Sequence, residues 1–123
     1  MNITRYADAP EYQAPNHFDM TCLRLQGHEA GPAVQLWMGV SVIEPGGHTT
    51  LAPSPMEKLY VVLDGEIELT GQLPGAQAQT EVLHTWDSCR FAPGEGRQLR
   101  NRSAQAARVL LAMPMAPPAE PAP

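Results

Sequence analysis

Positive charge is scarce in this chain: eight lysines and arginines stand against thirteen aspartates and glutamates, for a net charge of −5. The few cations are interspersed with acids and form no stripe, so nucleic acid is excluded as a partner class. Cysteine is almost absent. Cys22 and Cys89 form no Cys-x-x-Cys pair and no disulfide framework, and read as free thiols of a reducing compartment. The opening Met1-Asn-Ile-Thr-Arg-Tyr has no apolar core of a secretory signal, and the longest apolar-rich run, Val34 to Ile43, is too short to span a bilayer. The expectation is a cytoplasmic protein without a membrane partner. Also missing are a Gly-x-Ser-x-Gly elbow, a P-loop, a Gly-x-Gly-x-x-Gly turn and an EF-hand loop. His17, His28, His48 and His84 have neither His-x-His nor His-x-x-x-His spacing.

What is present is a run of short strands. A length of 123 residues suits one domain. Residues 1–19, with Pro10 and Pro15, read as an irregular N-terminal arm; residues 20–114 read as the folded barrel; residues 115–123 read as a Pro/Ala-rich tail that cannot pair in a sheet. Met20 to Leu25 alternates. Val34, Leu36, Met38, Val40 and Val42 share one face by the two-residue period. Leu59 to Leu63 is apolar on both faces, the mark of a central buried strand. Asp64-Gly65 signals a tight turn into an alternating Glu66–Leu69 strand, whose Glu66 and Glu68 make a solvated face rather than an acid/base couple. Gly71 to Gln79 is a loop, and further strands follow at 80–85, 88–91, 97–101 and 107–113. Many short strands between Gly/Pro turns predict an all-β antiparallel sandwich or barrel.

Two segments sharpen this. The stretch from Pro45-Gly-Gly-His through Glu57-Lys-Leu-Tyr to Asp64-Gly65 resembles the first signature of the cupin superfamily, a Pro-Gly-Gly-type turn, His-x-His, a Glu, six residues and a Gly. Asp87-Ser-Cys-Arg-Phe-Ala-Pro-Gly-Glu-Gly-Arg97-Gln-Leu-Arg-Asn101 resembles the second, which carries the third histidine and a closing Asn. The resemblance covers residues 33 to 113 and implies a cupin double-stranded β-helix, a small jelly-roll barrel. It also implies a homodimer, for which exposed strand edges and apolar residues such as Trp37 and Met38 give physical reason. The frame survives without its ligands. Ala52 and Ser54 stand at the two histidine positions, Lys58 at the glutamate and Arg97 at the third histidine. Moving the frame one residue to Glu57 brings no His-x-His with it and would turn every side chain of that strand over. A methyl, a hydroxyl and two cations cannot hold a divalent ion, so no metal and no other cofactor is expected.

In a shared barrel, Lys58 and Arg97 would repel, and with desolvation this lowers the lysine pKa. Either a small organic anion lies between them, gripped bidentately by Arg97, or Lys58 is neutral and acts as a base or Schiff-base nucleophile. The alternative is a Lys58 that turns outward to Glu57 or Glu95. Counting by twos places His48, Thr50, Ser54, Tyr60, Cys89 and Asn101 as further lining residues, with Pro53 and Pro55 disturbing the count around Ser54. His48 is the candidate second proton carrier, or else a solvent-facing residue after its turn; Tyr60 is a third candidate, or core. Cys89 is a low-pKa thiol or an inert packed one. His17 or Asp19 could cover the site from the arm; His28 and His84 read as surface residues. The catalytic candidates are therefore Lys58, His48 and Tyr60, and the substrate-binding candidates Arg97, Ser54, Thr50, Asn101, Cys89 and His17. Three functions remain open: a metal-independent isomerase, lyase or decarboxylase acting on a small carboxylate or enolate-forming compound; a non-catalytic carboxylate-binding or sensing module; and a degenerate structural cupin.

Overall fold

The structure, a computed structural model, describes residues 1–116; residues 117–123, and with them most of the expected tail, lie outside the described residues. The strands are β1 (Glu11–Tyr12), β2 (His17–Gln26), β3 (Leu36–Thr49), β4 (Ala52–Pro53), β5 (Lys58–Asp64), β6 (Glu66–Gln72), β7 (Gln79–His84), β8 (Ser88–Phe91), β9 (Gly96–Arg100) and β10 (Ala107–Pro114). They pair in the order β7-β6-β9-β3-β10-β5-β8, with β2 also on β3, β1 on β2 and β4 on β9. Every ladder is antiparallel, and the sheet curls into a nearly closed barrel. The all-β expectation holds. Among the described residues no helix is long and apolar enough to cross a membrane.

The barrel holds together through inward side chains of alternating strand positions. Ile43, Tyr60, Val62, Ile67, Leu69, Phe91, Leu99, Val109 and Leu111 form one cluster with Trp37. The β5–β6 hairpin turns at Gly65, whose φ of 79° an L side chain would resist.

β3 is the longest strand, and it must bend to serve both sides of the barrel. It pairs with β10 over Leu36 to Ile43 and meets β9 at His48. The bend falls at Pro45-Gly46-Gly47, where a Cβ on Gly47 would lie 2.4 Å from the Asp19 carbonyl oxygen. Asn101 locks it. The Gly46 amide donates to the Asn101 carbonyl (2.8 Å) and the Asn101 amide to the Gly47 carbonyl (2.9 Å). The fully buried Asn101 side chain donates to the carbonyls of Ile43 (2.9 Å) and Gln105 (2.8 Å) and accepts from Ser103.

Three details differ from the periodic reading. The inward face of β3 is Trp37, Gly39, Ser41 and Ile43, not the even-numbered row: Trp37 and Ser41 line the cavity and Ile43 joins the core, whereas Leu36 is 59% exposed and Val40 is buried outside that cluster. The even row is the more apolar, but this strand lines an open cavity, where small and polar residues leave room. β5 has neighbours on both edges, yet its outer face is open and Leu59 is 47% exposed. Its apolar outer residues gave the appearance of two-sided burial. Finally, β2 begins at His17, inside the stretch expected to be irregular, and Glu11–Tyr12 adds a short strand to its edge.

Candidate functional site

One end of the barrel is hollow. A cavity of about 390 Å³ opens there, walled by β2, β3, β4, β5, β9 and β10 and roofed by residues 12–17 of the N-terminal segment. That is room for a small organic molecule. The positions selected by the two motifs converge on it. Ala52, Ser54, Lys58 and Arg97 all line the cavity, and Ala52 faces Arg97 directly across the β4–β9 ladder.

Arg97 organises this end. Its Nη1 donates to the Tyr60 hydroxyl at 3.0 Å, while its buried Nε has no partner among the described residues. Tyr60 is buried, and burial pushes its phenol up to about 12 despite the guanidinium beside it. It stays protonated, and since its oxygen accepts from Arg97, its own proton is free to be donated. Lys58 is pulled down from the ordinary lysine value to about 8, first by burial and then by Arg97. It does not turn outward: Glu57 is paired with Arg90, and Glu95 accepts from the Ala92 amide. His17 lies under the influence of both cations. Burial first, then Arg97 and Lys58, holds it below the usual histidine range. Its Nδ1 sits 2.7 Å from the Pro15 carbonyl and so carries the proton, leaving Nε2 as a lone-pair acceptor.

Of the remaining expected site residues, Thr50 and Ser54 line the cavity; the Ser54 hydroxyl also accepts from the Met56 amide. His48, Asn101 and Cys89 do not. His48 stacks on Phe18 outside the cavity, with Nδ1 3.1 Å from the Gly46 carbonyl. The two-residue count fails because β3 ends at Thr49 and β4 starts only at Ala52; Thr49 takes the inward position. Asn101 is consumed by the bend. Cys89 packs against the core, where burial pushes its thiol up to about 11, away from a reactive thiolate. Asp19, a second lid candidate, is not among the lining residues. His28 and His84 are exposed as expected.

The sequence reading misses a further part of the lining: Tyr12, Arg24, Trp37, Ser41 and Met113. Trp37, read as an exposed residue wanting cover, is 7% exposed and belongs to the interior. The legible sign was Arg24 itself, an arginine in phase with Met20 and Cys22 on an apolar strand face.

The cupin frame raises the question of a metal. The side chains at the ligand positions offer one neutral hydroxyl and two cations, and among the described residues no group of three or more His, Cys, Asp or Glu side chains could hold an ion. The residues present do not fit a divalent centre.

A jelly-roll barrel with a solvent-connected internal cavity has the cupin fold. The fold matches the polyketide cyclase RemF from Streptomyces resistomycificus with a TM-score of 0.81 at 22% identity, over 97% of this chain and 82% of that one. It matches the CENP-C cupin domain of Drosophila melanogaster with a TM-score of 0.72 at 13% identity, over 93% and 80%. At these identities the fold alone is shared. No family model matches the sequence. In sequence the chain is 43% identical over 111 residues to beta-D-galactosidase Rv1717 of Mycobacterium tuberculosis, covering 90% of this chain and 91% of the relative, and it belongs to the same family as that protein.

Proposed function

We propose that this cupin works without a resident divalent metal and binds a small organic carboxylate between Lys58 and Arg97, moving a proton on the carbon beside it. The observation that carries this reading is a cavity with two neighbouring cations in its lining, one of them with a buried, unpartnered Nε, and no aspartate or glutamate anywhere in that lining. Two adjacent half-buried cations are unfavourable alone, and an anion between them removes the penalty. Arg97 would hold the carboxylate and stabilise the enolate that forms. His17, held below the usual histidine range and with its Nε2 lone pair free, would take the proton, while the Lys58 ammonium adds its charge to the carboxylate site. Tyr60 would donate its own to the departing or re-protonated atom. That set serves isomerisation, decarboxylation or elimination.

A second reading comes from the relative named a galactosidase: cleavage of a β-galactoside. Glycoside hydrolysis ordinarily uses two carboxylates flanking the bond. This cavity has none, so the same reaction here would fall to Lys58 and Tyr60. A non-catalytic carboxylate sensor would use Arg97 and Lys58 alike but would need no proton acceptor beside them. For the assembly we propose a homodimer that covers the exposed Val34 and Leu36.

The test is a thermal-shift panel of small aliphatic and aromatic carboxylates on wild type, Lys58→Met and Arg97→Met, with elemental analysis for metal and a chromogenic β-galactoside assay beside it. A carboxylate that raises the melting point of the wild type alone is expected. Stoichiometric metal overturns the metal-free reading. Galactoside turnover that survives both substitutions moves the chemistry away from these two residues.

A further inference from the structure

The wall around Arg24 is built differently from that around Lys58 and Arg97. Arg24 lies with its guanidinium carbon 3.5 Å from the Tyr12 ring centre and 4.3 Å from that of Trp37, and the two rings meet edge-on at 5.7 Å. Its Nε donates to Glu29 at 2.8 Å. Among the described residues neither terminal guanidinium nitrogen of Arg24 has a partner, and the side chain lines the cavity. The side chain is only 13% exposed. A stacked guanidinium held from behind by a carboxylate is a rigid fork of donors.

The strand register sets the span. Arg24 pairs with Gly39, Gly39 with Leu111, and Leu111 with Tyr60. Three strand spacings of about 4.8 Å put the Arg24 and Tyr60 backbones about 14 Å apart along the sheet, with both side chains reaching inward. Gly39, lacking a side chain, lets the Leu23 carbonyl and the Trp37 ring pack closely against this wall. A Cβ there would lie 2.6 Å from the Leu23 carbonyl oxygen and 3.0 Å from the Trp37 ring.

Charge distinguishes the two walls. Lys58 and Arg97 have no counter-ion among the described residues, whereas Arg24 is neutralised by Glu29. The first wall calls for a full negative charge. The second offers N–H donors with little net charge, which suits neutral hydroxyl oxygens better than a second carboxylate. We propose that the cavity takes a bipolar ligand, a hydroxylated carboxylic acid of sugar-acid type, with its carboxylate on Lys58 and Arg97 and its distal hydroxyls on the Arg24 fork. This deepens the carboxylate reading and rests on it. Arg24 is then a specificity-determining residue.

The experiment is isothermal titration calorimetry of the full chain with D-glucuronate, cyclohexanecarboxylate, methyl β-D-glucoside and D-glucarate. Wild type should bind glucuronate about tenfold more tightly than the hydroxyl-free acid, the worth of one or two added hydrogen bonds. Arg24→Met should remove that preference while leaving cyclohexanecarboxylate within about twofold. Glu29→Gln, a change at an exposed residue that spares the stack, should shift preference toward the diacid glucarate. Equal weakening of both monoacids by Arg24→Met overturns the proposal, as does a wild type that does not distinguish them. Failure of the carboxylate reading looks different: Arg97→Met would leave cyclohexanecarboxylate binding unchanged, and methyl glucoside would bind as tightly as glucuronate.

Discussion

Lys58 is a residue whose folded environment opposes its own charge. Its pKa falls from 10.5 to about 8, because burial and then Arg97 disfavour the ammonium. The sign of the consequence follows from proton counting. Between about 8 and 10.5 the unfolded chain binds more protons at this site than the native one, so stability rises with pH across that window, and below it the full cost is present. Lys58→Met should therefore be more stable than wild type in urea at pH 7, with the difference shrinking toward pH 10. A substitution that destabilises at both pH values would mean that Lys58 is a satisfied core residue. Carboxylate binding should weaken over the same rise in pH, as the ammonium loses its proton. The positions of Lys58 and Arg97 were legible from counted distances to Gly65 and Gly94 alone. His48 was misplaced because a parity count carries no warning where a strand lapses between Thr49 and Ala52.

At the scale of the element, the bend of β3 governs the site, since it delivers Thr49 and the β4 segment to the cavity rim. Asn101 is its clasp. Asn101→Leu leaves the Ile43 and Gln105 carbonyls and the Ser103 amide without their side-chain partner. A loss of ~3 kcal/mol is expected, measured by urea unfolding, from the desolvated groups left behind. Asn101→Leu with unaltered stability would leave the bend to Gly46 and Gly47. The closing Asn of the second motif could be seen in the sequence as a residue of the site. Its true role depends on joining a local turn, through the Gln105 carbonyl and the Ser103 amide, to the Ile43 carbonyl that only the crossing of β3 over β9 brings near.

For the whole molecule, the cavity is a joint product of the barrel and its N-terminal segment. Tyr12 and Arg24 come from β1 and β2, Trp37 from β3, and Lys58 and Arg97 from strands far along the chain. The exposed Val34 and Leu36 beside this wall carry the expectation of self-association. Sedimentation should report a dimer for wild type, and Leu36→Glu should shift it to monomer. A monomeric wild type at tens of micromolar removes the dimer without touching the site.

The sequence by itself determined the architecture: strand period, Gly/Pro turns and two spaced motifs are local signals, each readable within a few residues. It also placed Lys58 and Arg97 at fixed distances from Gly65 and Gly94, because that is a matter of counting. Only the tertiary structure decided which face of β3 looks inward, since an open cavity reverses the usual preference for the more apolar row. Only it brought Arg24, Tyr12 and Trp37 into one stack on the cavity wall. Their meeting depends on strand pairing between segments that carry no mark of one another in the chain.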